Sequence, residues 1–152
     1  MEKKIDDKLI KEFNDIWHFF IFSFQNKSYS LWGDDLKDAT TIEISILNMI
    51  DNKSDVLLKE IKEKLQIPGS TLTSAIDRLE KKGLITRTIS ERDRRSYGLQ
   101  LTDRGEKAQK IHIKAENELF EQILGSLDSN AECFAFLNSL KKIKKRLNRQ
   151  NR

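Results

Sequence analysis

The stretch Ser70-Thr71-Leu72-Thr73-Ser74-Ala75-Ile76-Asp77-Arg78-Leu79-Glu80-Lys81-Lys82-Gly83-Leu84-Ile85-Thr86-Arg87-Thr88-Ile89 changes its apolar period halfway along, and the fold turns on that change. Leu72, Ala75, Ile76 and Leu79 fall on one side of a helix, which predicts a helix over 70–82. Gly83 then supplies the left-handed position that ends it. From Leu84 the period drops to two. Leu84–Ile89 and Tyr97-Gly98-Leu99-Gln100-Leu101 are the two arms of a predicted hairpin over 84–101. The segment between them, Ser90-Glu91-Arg92-Asp93-Arg94-Arg95-Ser96, has three arginines and no apolar anchor, so it should project into solvent. Gly98 marks a bulge or a close backbone approach.

Upstream, Ser54 is a candidate N-cap for a short helix carrying Leu57, Leu58, Ile61 and Leu65, ending before Pro68. Two helices across a tight turn make a helix-turn-helix candidate. Thr40 or Thr41 caps the helix before them, whose inward face is Ile42, Ile46, Met49 and Ile50, and residues 28–38 read as a loop containing Gly33. The flanks are long helices. Over 4–27, Ile5, Leu9, Phe13, Ile16, Trp17, Phe20 and Phe24 recur at steps of one, three or four, and Phe19, Ile21 and Phe22 widen the apolar face enough to touch a partner subunit as well as its own domain. Over 104–149, Thr102 caps a helix with Ala108, Ile111, Ala115, Leu119 and Ile123 inward. Gly125 stops it, and a last helix places Cys133, Phe136, Leu140, Ile143 and Leu147 along a packing seam. The expected fold class is therefore mainly α with a small β-hairpin (α+β), a single unit over 1–152 in which 40–101 forms the central region.

Composition narrows the function. The 152 residues are 38% apolar and 34% charged, enough for a core under a heavily charged surface. The formal charge of +4 hides two basic clusters. Residues 78–95 hold 7 basic and 3 acidic side chains, and residues 141–152 hold 7 basic and none acidic. The latter also reads as a solvated helix end. A single cysteine excludes an intramolecular disulfide framework, and Cys133, in an apolar seam, is expected to be an inert thiol. Two histidines far apart in the chain give no transition-metal set. No nucleophile motif, phosphate loop or dinucleotide fingerprint occurs, so neither an enzyme nor a cofactor is expected. No apolar run approaches the roughly 18–20 residues that cross a bilayer, and Met1-Glu2-Lys3-Lys4 leads into alternating charge, so the expected location is cytoplasmic, away from membrane.

On a helical wheel, Ser70, Ser74, Asp77 and Lys81 point farthest from the apolar side, flanked by Thr71, Thr73 and Arg78. Short hydroxyl side chains let a helix enter a DNA major groove closely, although the same face also fits ordinary solvated surface. The arginine loop adds weight, because guanidinium groups suit a narrow, negative minor groove. Asp93 can orient one of those arginines, and Asp77 is expected to pair with Lys81 four residues on. A protein-interaction module whose arginines bind an acidic partner stays open beside the DNA reading.

Ser70-Thr71-Leu72-Thr73, then 77–87, then Asp93-Arg94-Arg95, then Leu99-Gln100-Leu101-Thr102-Asp103-Arg104-Gly105 resemble the MarR family of regulators in order and spacing. The resemblance implies a winged helix-turn-helix with recognition helix 70–82 and wing 84–101, dimerised by the helices at 4–27 and 104–149. It further implies a homodimer that binds double-stranded DNA at palindromic operators and represses transcription, often released by a small effector. Carried over by position, DNA contacts fall on Ser70, Thr71, Thr73, Ser74 and Arg78, the wing tip on Asp93 and Arg95, and Arg92 and Arg94 lie in the same loop. Arg87 matches a family arginine better read as a salt bridge steadying the wing. Phenolic effectors of the family direct attention to Trp17, His18, Phe20 and Phe24, where the alternative is ordinary core packing. Pro68-Gly69 departs from the pattern and can shift the recognition helix.

Overall fold

The computed structural model describes residues 5–53 and 55–150, with the side chains of 24–31 and 150 set aside. Among these residues the order is α1 (Asp7–Leu31), α2 (Thr41–Asp51), β1 (Val56–Leu57), α3 (Leu58–Leu65), α4 (Gly69–Lys81), β2 (Ile85–Ile89), β3 (Tyr97–Leu101), α5 (Asp103–Gly125) and α6 (Asn130–Gln150). The chain divides into two compact units between Ile113 and Lys114. It is helix-rich with one small antiparallel sheet, as the change of period predicts.

In the first unit, α2 opens on a reciprocal cap. Thr40 Oγ1 accepts the Glu43 N–H at 3.2 Å, and a Glu43 carboxylate oxygen accepts the Thr40 N–H at 2.7 Å. Helix α3 ends at Gln66, a non-glycine residue in the left-handed region (φ 52°), and Pro68 stands just before α4 with φ −57°. The predicted turn between these helices is thus made by Gln66 and Pro68 together. Gly83, at φ +70°, takes the left-handed position after α4.

The sheet differs from the predicted hairpin by one strand. Its order is β1-β3-β2, with Ile85 opposite Leu101 and Ile89 opposite Tyr97 in the hairpin, and Val56 opposite Leu99 on the added edge. Leu57 is therefore a strand residue and α3 starts only at Leu58. The sequence run Val56-Leu57-Leu58 is too short to show a period, and only its distant partner β3 makes two of its residues a strand. The proposed cap Ser54 lies outside the described residues.

The core fills the space between α2, α3, α4 and the sheet. Leu36, Ile46, Leu47, Ile61, Ile76, Leu79, Leu84 and Leu99 are fully enclosed. Ala108 of α5 joins them, but Ile111 is 52% exposed, and Gln109 and His112 take the inner positions instead. Gln109 donates to Asn48 of α2, and the His112 ring packs edge-on against Trp32 at 4.9 Å. Helix α1 extends to Leu31, beyond the predicted limit, and its apolar residues remain uncovered: Phe13, Phe19 and Phe22 are each more than 60% exposed.

In the second unit, the turn after Gly125 gives way to α6 through Ser129. Its hydroxyl accepts the Glu132 N–H at 3.3 Å while Glu132 accepts the Asp128 N–H at 3.0 Å. Cys133 is half-buried, its thiol directed at the Leu124 carbonyl 3.4 Å away. Phe134, Phe136, Leu140, Ile143 and Leu147 all stand exposed.

Leu79 tests the core. Replacing its fully buried side chain by Ala should lower unfolding free energy by about 2–5 kcal/mol in a urea titration, with an unchanged m-value.

Candidate nucleic-acid interface

Helix α4 is amphipathic, with Leu72, Ala75, Ile76 and Leu79 buried. That anchoring leaves Ser70, Thr73, Ser74, Asp77 and Arg78 exposed and Thr71 half-exposed, so the hydroxyl face is open. Two ion-pair systems fix its attitude. Arg78 Nε donates to Glu43 Oε1 at 2.7 Å, and the Glu43 side chain is only 1% exposed while Arg78 is 53% exposed. Burial opposes ionisation of Glu43, but the Thr40 N–H and the Arg78 guanidinium together hold its carboxyl below the usual range. Arg78 thus spends its inner nitrogen on α2 and keeps its outer end in solvent.

The second system joins α4 to the hairpin. Arg87 of β2 bonds Asp77, and its Nε lies 3.4 Å from Glu80 Oε2. This corrects the expected Asp77–Lys81 pair, because the returning strand brings a planar guanidinium to the acid before Lys81 can claim it. It agrees with the reading of Arg87 as a salt bridge. Since Asp77 belongs to the exposed face of α4, the hairpin stands beside that face. Behind α4, Arg104 bonds Asp35 and the Lys82 carbonyl, and Thr102 Oγ1 donates to the Gly83 carbonyl at 2.6 Å.

The loop at 90–96 is built on polar contacts. Buried Ser90 donates to Asp55 Oδ2 at 2.7 Å, and its Oγ accepts the N–H groups of Arg92 and Asp93. Asp93 accepts the Arg95 N–H at 3.1 Å and the Ser96 hydroxyl at 2.7 Å, which lower its pKa. It therefore shapes the turn backbone and does not orient a guanidinium. Arg92 is turned inward: Nη1 and Nη2 reach the two Glu60 carboxylate oxygens at 3.1 and 3.0 Å, and Nη1 also meets the Asp55 carbonyl at 3.3 Å. Arg92, then Lys53, hold the Glu60 carboxyl far below the carboxylate range. Arg94 and Arg95 are exposed, and their guanidinium groups have no hydrogen bond or ion pair among the described residues. A Cβ on Gly98 would overlap Asp55 Oδ1, so the crowding there comes from a side chain rather than from the bulge or backbone approach expected.

The family model for MarR matches residues 40–97, the segment holding both helices and most of the hairpin. This chain carries a MarR-family domain. It is similar to the HTH-type transcriptional regulator YfiV of Bacillus subtilis, 33% identical over 87 residues and covering 54% of either chain. It is also similar to the HTH-type transcriptional repressor MdtR of Bacillus subtilis, 36% identical over 68 residues, 45% of this chain and 44% of MdtR. The chain thus spans about half the length of the curated relatives it matches. Streptococcus pneumoniae FabT, solved in complex with DNA, superposes with a TM-score of 0.79 at 26% identity, over 95% of this chain and 99% of FabT. The winged helix-turn-helix fold of the family is therefore the fold of this chain.

Within the MarR-family domain, Ser70, Thr71, Thr73, Ser74, Arg94 and Arg95 are open to solvent, Arg78 is shared, and Arg92 and Asp93 serve the wing's own structure. Glu43, Glu60 and Asp55 were not legible as site residues, because their partners lie 32 to 37 positions away in sequence. Of the residues considered for an effector, Trp17 is 53% and Phe20 38% exposed, His18 is exposed, and the Phe24 side chain lies outside the described residues. Among the described residues no helix is long and apolar enough to cross a membrane.

Glu43 gives a pH signature. Its carboxyl is lowered from an ordinary value of 4.5, so its contribution is present above that pH and is lost as pH falls through the lowered value. Glu43→Gln should lower stability by roughly 2 kcal/mol at neutral pH, and denaturant unfolding should show the two proteins converging well below pH 4.5.

Proposed function

We propose that this chain is a sequence-specific, DNA-binding transcriptional regulator, a repressor acting as a cytoplasmic homodimer on palindromic operators. The observation that carries the reading is the Arg87 link. It ties the hairpin whose loop carries the exposed Arg94 and Arg95 to the exposed face of α4. In this reading α4 enters a major groove, where Ser70, Thr71, Thr73 and Ser74 approach base edges and phosphates, and the outer end of Arg78 adds a charged contact. Arg94 and Arg95 reach the neighbouring minor groove. Arg92 and Asp93 hold the loop that presents them. The DNA complex of FabT and the repressor name of MdtR support the same assignment, and the curated relatives are named regulators rather than enzymes.

The dimer rests on uncovered apolar surface. Ten large apolar residues between Ile5 and Phe22 and six between Phe134 and Leu147 are exposed in the single chain, more than a soluble monomer leaves open. A partner covering α1 is also what would enclose Trp17, His18 and Phe20. An aromatic effector that releases the protein from DNA would bind there only in the assembled form.

Arg95→Ala should weaken binding to many duplex sequences and flatten the log–log salt dependence by about one counterion per protomer, measured by fluorescence anisotropy; an unaltered slope would remove the wing from the interface. Thr71→Ala or Ser74→Ala should change which sequences are selected from random duplexes more than overall affinity. For the assembly, sedimentation equilibrium should return twice the 17.8 kDa chain mass, and a concentration-independent monomer would refute the dimer.

A further inference from the structure

The wing carries an apolar pair that the DNA-binding reading has not used. Register places Ile85, Arg87 and Ile89 opposite Leu101, Leu99 and Tyr97, so these six residues share one face of the hairpin. That face runs from core to solvent. Ile85 and Leu99 are buried, Arg87 lies against Asp77 and Glu80 of α4, and Ile89 and Tyr97 emerge at 70% and 61% exposure. The face that meets the recognition helix therefore continues past it as a bare Ile–Tyr step, next to the loop that presents Arg94 and Arg95.

We propose that Ile89 and Tyr97 form an apolar seat for the deoxyribose backbone of the single DNA strand that passes between the recognition helix and the wing. A helix in a major groove and a loop in the adjacent minor groove straddle one backbone, and this step lies on the wing surface facing that gap. Deoxyribose presents C–H surface between its phosphates. A β-branched side chain beside an aromatic ring matches it, and the ring rather than its hydroxyl supplies the contact. The flanking charges favour this occupant over an apolar protein surface. Arg94 and Arg95 are unpaired cations among the described residues and outnumber the exposed Glu91 of the same loop, and the carboxylate of Asp93 is held by the turn. The seat adds affinity without adding a neutralised phosphate, so its removal has a different ionic signature from removal of a wing arginine.

The proposal rests on the DNA-binding reading, and the experiment separates the two. A duplex selected by the wild-type protein from random sequence is titrated with wild type, Tyr97→Thr, Ile89→Thr and Tyr97→Phe across a salt series, alongside thermal unfolding of each. Both threonine variants place a β-branched residue of good strand propensity at an exposed position, so the hairpin is retained. The expected result is a loss of about tenfold in affinity at every salt concentration for each threonine variant, with log–log lines parallel to wild type, and near wild-type binding for Tyr97→Phe. Wild-type affinity in both threonine variants, or a slope flattened as in Arg95→Ala, overturns the apolar seat while leaving the DNA reading intact. Failure of the wild-type protein to select any duplex overturns the DNA reading itself.

Discussion

A carboxylate enclosed to 99% of its surface joins two helices of the domain and ties the exposed face of α4 to α2. Glu43 closes the cap of α2 through Thr40 and at the same time receives Arg78 from α4. Removing a charge from water is costly, and here three groups offset that cost: a backbone N–H, a threonine hydroxyl arrangement and a guanidinium. Leu72, Ala75, Ile76 and Leu79 seat α4 on the core, and the ion pair adds a directional tie to α2. The apolar stripe already turns Ser70, Thr73 and Ser74 outward, and the directional ion pair narrows the rotation that the stripe alone would allow.

The wing follows the same rule with less apolar help. Its loop has no hydrophobic side chain, and its geometry comes from Ser90, Asp93 and the clasp of Arg92 on Glu60 and Asp55. Arg87 then ties the strand leading to it back to α4. The seven-residue loop thus divides its arginines by task. One is spent internally, and two are left with free charge.

Much of this was legible in sequence where a short-range rule applies. The switch of period at Gly83, the hydroxyl face of α4 and the cap at Thr40 each depend on neighbours within four positions, and the structure reproduces them. The parts that escaped depend on distant partners. Val56-Leu57 becomes a strand only because Leu99 and Gly98 lie alongside. Asp77 has Lys81 within reach along its helix, yet the hairpin delivers Arg87. Arg92 looked like its neighbours Arg94 and Arg95, and nothing local distinguishes it, since Glu60 arrives from another helix. Ile111 fits the periodicity of an inward stripe, but its helix turns Gln109 and His112 to the inside.

Gly98 and Asp55 occupy one shared volume, since any side chain at 98 would overlap the carboxylate at 55. Asp55 is itself held at φ 54°, which disfavours most replacements there. In descendants of this sequence the two positions are therefore not independent characters. A lineage that acquires a side chain at 98 must displace, shorten or lose the acid at 55, and with it disturb the anchor of Ser90, so a change at one site is felt at the other.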